Sequence, residues 1–291
     1  MYNQNLNMSI IIIGYNTQQP LLKLLQSINN LSSPSDIKEV IYVDDASLDD
    51  SYSAFNSYPL LFSKKSKKLL QNSGRSFATQ EGINLATGRW FLFVRSNEII
   101  DASLILEYKK TINSRAVAYA GSVKYQSSDV GFENYLNSNS RGAKSSKLSS
   151  SIHYKFLLFN NSMIRASVFK LVRLNPQLKH YGGEELDCAY KINQLFPGLI
   201  NSCNSAIVHR FNYPSLFEHC DRLKEFGNTN LKLLSKTLQL DVIYFQFFLR
   251  PLLINKALIF ISYSVLKNIN YVLGRKKLFL FIKMQLFTAI L

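Results

Sequence analysis

Short apolar runs, each broken by a polar turn, set the pattern of this chain. Ile10–Ile13 is apolar throughout and stops at Gly14-Tyr15-Asn16, which predicts a buried strand leaving a sheet. Pro20 suits the first turn of a helix, expected over Pro20–Ile28. The scheme then repeats. Glu39–Val43 predicts a second strand with Asp44-Asp45 at its C-terminal end, and Asp49 or Asp50 can cap the helix that follows. Leu69–Gln71 predicts a third short strand, Asn72-Ser73-Gly74 a turn, and the residues to about Ala86 a helix. Gly88 closes that helix, and Trp90–Val94 predicts a fourth strand. Strands alternating with helices imply an α/β fold of βαβ units on a mainly parallel central sheet. Ligands of such sheets bind at the carboxyl ends of the strands, where Tyr15, Asn16, Asp44, Asp45, Asn72 and Arg95 all fall.

The second half is less regular. Asn137–Ser151 is rich in Ser, Asn, Lys and Gly and is expected to be a mobile loop. Apolar Phe156–Phe159 and the segment Asn160–Arg165 follow. Gly182-Gly183 predicts a turn, with Glu184, Glu185 and Asp187 at the head of the next helix, and "NSCNSAIVHR" predicts a strand ending at His209. Phe217–Lys236 has mixed charge at helical spacing. No segment repeats with a fixed period.

Composition adds a size and a charge. At 291 residues, 47% hydrophobic and 13% aromatic, the chain has ample material for one large α/β domain with an appendage. Lys and Arg number 34 against 19 Asp and Glu, a net charge of +15. The excess is concentrated in Val242–Leu291, which holds Arg250, Lys256, Lys267, Arg275, Lys276, Lys277 and Lys283 and no acid. Its apolar stretches fall short of the roughly 20 residues a spanning helix needs, while Leu258, Ile261, Val265, Ile269 and Val272 share one helical face. The tail therefore reads as amphipathic helices in the interface of an anionic membrane. The alternative is helices packed on the catalytic domain or on a partner. No nucleic-acid-binding motif accompanies the charge, so nucleic acid is not expected as a partner. Cys188, Cys203 and Cys220 fit neither a zinc site nor a disulfide framework, and their odd number argues for a reducing compartment. The first residues lack a basic segment and a cleavage site, so a strand rather than a signal peptide is expected there.

Three constellations carry chemistry, each with a plainer structural alternative. Asp44-Asp45 can accept hydrogen bonds from a ribose or a uracil imide, or help hold a cation, or serve only the turn. Glu184, Glu185 and Asp187 favour a helix N-terminus through its dipole, and one of them can act as the base that takes a proton from an attacking hydroxyl. His209 can be a metal ligand or phosphate contact, or structural. The cluster Lys64, Lys65, Lys67 and Lys68 is expected to be a solvated edge.

The segments "SIIIIGYN", "EVIYVDDAS", "NSGRSFATQEGINLATGRWFLFV", "NNSMIRASVF", "GGEELDCAYKI" and "AIVH" resemble, in order and spacing, the family-2 inverting glycosyltransferases of GT-A fold. The resemblance runs from about Ser9 to His209. It implies a transferase domain over 1–214; the pattern of the tail itself adds a helical, membrane-associating region over 215–291. It also implies that Tyr15, Asp45 and their neighbours hold a UDP- or GDP-sugar. Glu185 takes the position of the base, with Glu184 and Asp187 beside it. The acceptor expected is a glycan in surface-polysaccharide synthesis, and the basic tail, rather than any site residue, adds a polyprenyl-linked sugar and the cytoplasmic face of the cell membrane.

Two departures bear on the cofactor. Where such enzymes carry Asp-x-Asp to bind Mn²⁺ or Mg²⁺, this chain has Arg95-Ser96-Asn97, leaving Glu98 and His209 as candidate metal ligands. Where their helix often carries Arg-Asn, it has Thr79-Gln80, with Arg75 one turn earlier. A guanidinium can stabilise a leaving diphosphate through paired hydrogen bonds, so metal-independent transfer is one expectation. A degenerate scaffold that binds nucleotide or glycan, or supports a partner, is the other.

Overall fold

A computed structural model describes residues 5–139, 141–145 and 150–238. The basic tail from Val242 onward, with its expected amphipathic helices, lies outside the described residues. β1 (Met8–Gly14), β2 (Ile37–Asp44) and β4 (Trp90–Arg95) form at the apolar runs, and β3 (Ser63–Lys68), β5 (Glu98–Ile100), β6 (Ala118–Ser127), β7 (Ser162–Arg165) and β8 (Ile200–Tyr213) complete one sheet in the order β3-β2-β1-β4-β7-β6-β8-β5. The β3-β2-β1-β4 half is parallel. Beyond it the sheet is mixed: β7 runs antiparallel to β4 and β6, β8 parallel to β6, and β5 antiparallel to β8.

Helices cover both faces, as the uninterrupted apolar strands require. Ile10, Ile12, Val40, Leu92 and Val94 pack beneath α1 (Gln18–Asn29) and α4 (Leu104–Thr111), with Phe55 of α2 (Ser51–Ser57) stacked on Tyr42. Ile11, Ile41, Phe91 and Phe93 face the other way, against Ile83 of α3 (Arg75–Leu85) and Cys188, Ala189 and Ile192 of α6 (Glu184–Leu195).

Two strands differ from expectation. The third strand is the lysine-rich Ser63–Lys68, not Leu69–Gln71. Its charges are absorbed by distant partners: Lys65 pairs with Glu39 at 2.7 Å, Lys67 pairs with Glu81, and the Lys64 ammonium donates to the carbonyls of Asn56 (2.6 Å) and Tyr58 (2.8 Å). A strand with lysines at the sheet edge also resists pairing with another chain. The last strand runs past His209 to Tyr213 because β5 and β6 go on pairing with it at Arg210 and beyond.

Asn161, within the expected Asn160–Arg165 segment, is a brace. Its amide donates to the carbonyls of Ser122 and Ala206, both at 2.9 Å, and accepts from the Tyr108 hydroxyl at 2.8 Å. Within Asn137–Ser151, expected as a mobile loop, Gly142–Ser145 forms a 3₁₀ turn.

Candidate active site

The carboxyl ends of β1, β2 and β4 open into a cleft of about 1050 Å³. Tyr15, Asp45, Arg75, Arg95, Asn97, Glu184 and Glu185 line it. The fold thus gathers seven of the sequence-derived candidates from five separate segments.

At the β1 and β2 ends the loops are clamped locally. Asn16 sits in the left-handed region at φ 52°. Its N–H donates to Ser47 Oγ and its side chain accepts from the Leu48 N–H, both at 2.8 Å. Asp44 is buried and accepts from the Ser47 N–H at 2.8 Å. Both residues shape the loop without lining the cleft. Tyr15 stands 43% exposed above them. Asp45 reaches across to the turn before α3, where its two oxygens accept from the N–H groups of Ser73 (2.7 Å) and Gly74 (3.0 Å). Burial pushes the Asp45 carboxyl up, against those two N–H bonds. Gly74 has φ 84° and stands against the Lys179 backbone, so no side chain fits there. Asn72, two residues earlier, is exposed and outside the cleft.

The opposing wall is the head of α6. Gly182 (φ 86°) and Gly183 (φ 90°) make the turn before it. A Cβ on Gly183 would stand 2.8 Å from the Phe226 ring. These glycines therefore serve conformation and packing against α7 (Leu216–Asn228), and both line the cleft. Asn230, fully buried, ties the same turn down by donating to the carbonyls of His180 and Gly182, both at 2.7 Å. Residues 216–234, placed by sequence in the C-terminal region, thus support the turn that carries the carboxylates.

Two ion pairs bridge the walls. Arg75 meets Glu184 at 2.7 Å, and Arg95 meets Glu185. Burial raises the Glu184 pKa; Arg75 opposes the rise and Glu185 adds to it. Burial works against the Arg95 charge, but Glu185, Glu98 and Glu184 outweigh it and raise the guanidinium's pKa. Asp187 turns away to Lys191, at 2.7 Å, and does not line the cleft.

The metal candidates do not converge. Glu98 is fully buried behind the β4 end, where it accepts from the Arg95 N–H at 2.7 Å. His209 alternates to the other side of β8 and pairs with Asp101 at 2.8 Å. Its neighbour Arg210 lines the cleft instead. Among the described residues no three His, Cys, Asp or Glu side chains come together to hold a metal ion. The β4 end offers a guanidinium, a hydroxyl and an amide, which does not fit the several oxygen ligands that Mn²⁺ or Mg²⁺ favour.

Burial pushes the Glu98 carboxyl up to about 7, against the pull of Arg210 and Arg95. Because folded Glu98 keeps its proton above the ordinary value of 4.5, the folded state binds more protons than the unfolded between pH 4.5 and 7. Stability therefore falls as pH rises through that window, by at most about 3 kcal/mol from this group. We expect Glu98→Gln to remove this fall, so that its melting temperature gains on the wild type from pH 5 to pH 8. Parallel curves would remove Glu98 from the effect.

The model of glycosyl transferase family 2 matches residues 9–173, which include β1 to β4 and both ends of the Arg75–Arg95 wall. The chain belongs to this family. A poly(ribitol-phosphate) beta-glucosyltransferase of Bacillus spizizenii is 28% identical over 105 residues, 35% of this chain and 17% of that protein. The alignment thus spans less than a fifth of that relative. Among solved structures, S. aureus TarS 1-349 is similar with a TM-score of 0.57 and 17% identity, over 76% of this chain and 64% of that one. TarS has also been solved with UDP-GlcNAc. A mannosyltransferase of Pyrobaculum calidifontis, solved with GDP-Man and Mn²⁺, is similar with a TM-score of 0.60 and 15% identity, over 77% and 63% of the two chains. These likenesses establish the GT-A fold.

Arg210, Tyr125, Arg141 and Lys144 also line the cleft, and sequence reading missed them. Only Arg210 left a signal, since strand alternation puts it opposite His209.

Proposed function

We propose that this family-2 chain transfers a sugar, with inversion, from a nucleotide-sugar to a glycan or polyprenyl-linked acceptor in surface-polysaccharide synthesis. The observation that carries this reading is the cleft of about 1050 Å³, which brings Tyr15 and Asp45 together with the Arg95–Glu185 pair. Tyr15 offers an exposed ring for the base, and the Asp45 carboxylate, which lines the same cleft, is the group assigned to the ribose. Relatives of the same fold bind UDP, UDP-GlcNAc and GDP-Man, and a relative named for poly(ribitol-phosphate) suggests surface polymers as the acceptor class.

The reaction is a single displacement. Glu185 takes the proton from an acceptor hydroxyl, whose oxygen forms a bond to the anomeric carbon. The bond from that carbon to the diphosphate breaks on the opposite side, and nucleoside diphosphate leaves with its electron pair. Arg95 stabilises the departing charge. The Arg95–Glu185 pair also gives the second reading an observation of its own: a permanent pair would leave a scaffold that binds donor without transferring it.

Among the described residues, no helix is long and apolar enough to cross a membrane. The peripheral, cytoplasmic-face placement rests on the basic tail sequence alone.

Calorimetry with UDP and GDP tests the donor half of this reading. Stacking on an aromatic ring contributes about 1–3 kcal/mol per base. Tyr15→Ala, at an exposed position, should therefore weaken nucleotide binding by roughly 5- to 150-fold without shifting the melting temperature. Equal affinity in the variant would exclude Tyr15, and no nucleotide binding by the wild type would overturn the reading.

A further inference from the structure

The cleft also has a cationic wall away from the two bridging ion pairs. There, β6, α5 (Val130–Leu136) and the turn at Gly142–Ser145 form a wall. Arg141 and Lys144 project from that turn, alongside Tyr125 and Tyr135. The donor-end arginines each face a carboxylate: Arg75 faces Glu184, and Arg95 faces Glu185. Among the described residues, neither Arg141 nor Lys144 makes an ion pair.

Arg141 lies with its guanidinium over the Tyr135 ring, 4.3 Å from the centroid. Its Nη1 is out of solvent and, among the described residues, has no hydrogen-bond partner. A buried donor without an acceptor is costly and calls for an explanation. Lys144 adds to the imbalance, since burial, and then the charges of Arg141 and Lys124, pull its pKa down. The cationic wall also reaches the reacting end. The Tyr125 hydroxyl lies within the fields of Arg210, Arg141 and Arg95 together, with Glu98 the acid among them. A neutral glycan could offer a hydroxyl to the Nη1 donor but would leave this charge uncompensated. A phosphate would satisfy both, with oxygens for the guanidinium fork and for the ammonium.

We infer that the acceptor carries a phosphate group, held between Arg141 and Lys144, with Tyr125 and Tyr135 lining the path from that phosphate to the hydroxyl that Glu185 deprotonates. This rests on the transferase reading above and names its acceptor class. Two sources supply such a phosphate: a phosphodiester-linked polyol chain, and the diphosphate of a polyprenyl-linked sugar.

The test measures binding to the full chain, with UDP or GDP saturating the donor end. The probes are a glycerol-phosphate oligomer, a short polyprenyl diphosphate sugar in detergent, and an uncharged oligosaccharide of similar length. The wild type should bind one of the phosphate probes, and the one it prefers identifies the source. The double variant R141Q/K144Q should weaken that binding at least tenfold and leave nucleotide affinity unchanged. If the double variant melts below the assay temperature, K144Q alone should still weaken it severalfold. Three outcomes overturn the inference: equal binding by wild type and variants, equal binding of the uncharged oligosaccharide, or a loss of nucleotide affinity in the variants. The last would give these cations to the donor diphosphate. Absence of nucleotide binding by the wild type would instead overturn the transferase reading, and the phosphate-probe comparison stands apart from it.

Discussion

Glu185→Gln should keep donor affinity within about twofold and lower turnover by roughly two or more orders of magnitude, the range expected when a general base is removed. The substitution is chosen to conserve shape. Glu185 sits on the first turn of α6, facing the cleft, with Arg95 on one oxygen. A glutamine can still accept from Arg95 through its carbonyl oxygen, so the wall should stay in place. It has no lone pair basic enough to take the acceptor's proton. Steady-state kinetics with calorimetric donor affinity separates the two effects. Near-normal turnover would remove Glu185 from the role and move the test to Glu184. Glu184 is the weaker candidate on geometry, because it is buried and already engaged by Arg75 at 2.7 Å.

Much of the N-terminal half was legible because its signals are local. Ile10–Ile13, Val40–Val43 and Trp90–Val94 are continuous apolar runs, and each became part of a buried parallel strand. The β3 strand was not legible. Its lysines are tolerated only because Glu39, Glu81 and two carbonyls stand across from them, and those partners are set by the fold. The site divided in the same way. The position of Asp45 followed from its strand end, but its engagement with Ser73 and Gly74 did not. Glu98 and His209 looked like ligands because they flank strand ends. One side chain turned inward to the Arg95 N–H and the other outward to Asp101. The Arg95–Glu185 pair joins residues 90 apart in sequence, and no local pattern announces such a contact. The cationic wall at Arg141 and Lys144 lay in a segment legible only as Ser/Asn/Lys-rich loop.

Arg95→Ala should lower turnover by roughly 10²- to 10³-fold with a native donor, the scale on which loss of one transition-state donor is felt. Its effect should fall on kcat more than on donor affinity. In the free protein the guanidinium is engaged by Glu185, and it is asked to bind hardest when the diphosphate gains charge on leaving. Arg95→Lys should recover part of the rate, since it restores a charge without the planar fork. Added Mn²⁺ should not rescue the alanine variant, because the site still lacks a set of oxygen ligands. An unchanged rate in Arg95→Ala would remove the arginine from the chemistry and leave its pair with Glu185 as a wall contact.

The central claim is that a guanidinium, rather than a divalent cation, attends the leaving diphosphate in this family-2 chain. Its most direct test is wild-type sugar transfer from a UDP- or GDP-sugar, followed across a titration of chelator and then of Mn²⁺. The account predicts turnover within about twofold of the untreated protein at every step. Complete loss in chelator, restored by Mn²⁺, would contradict it.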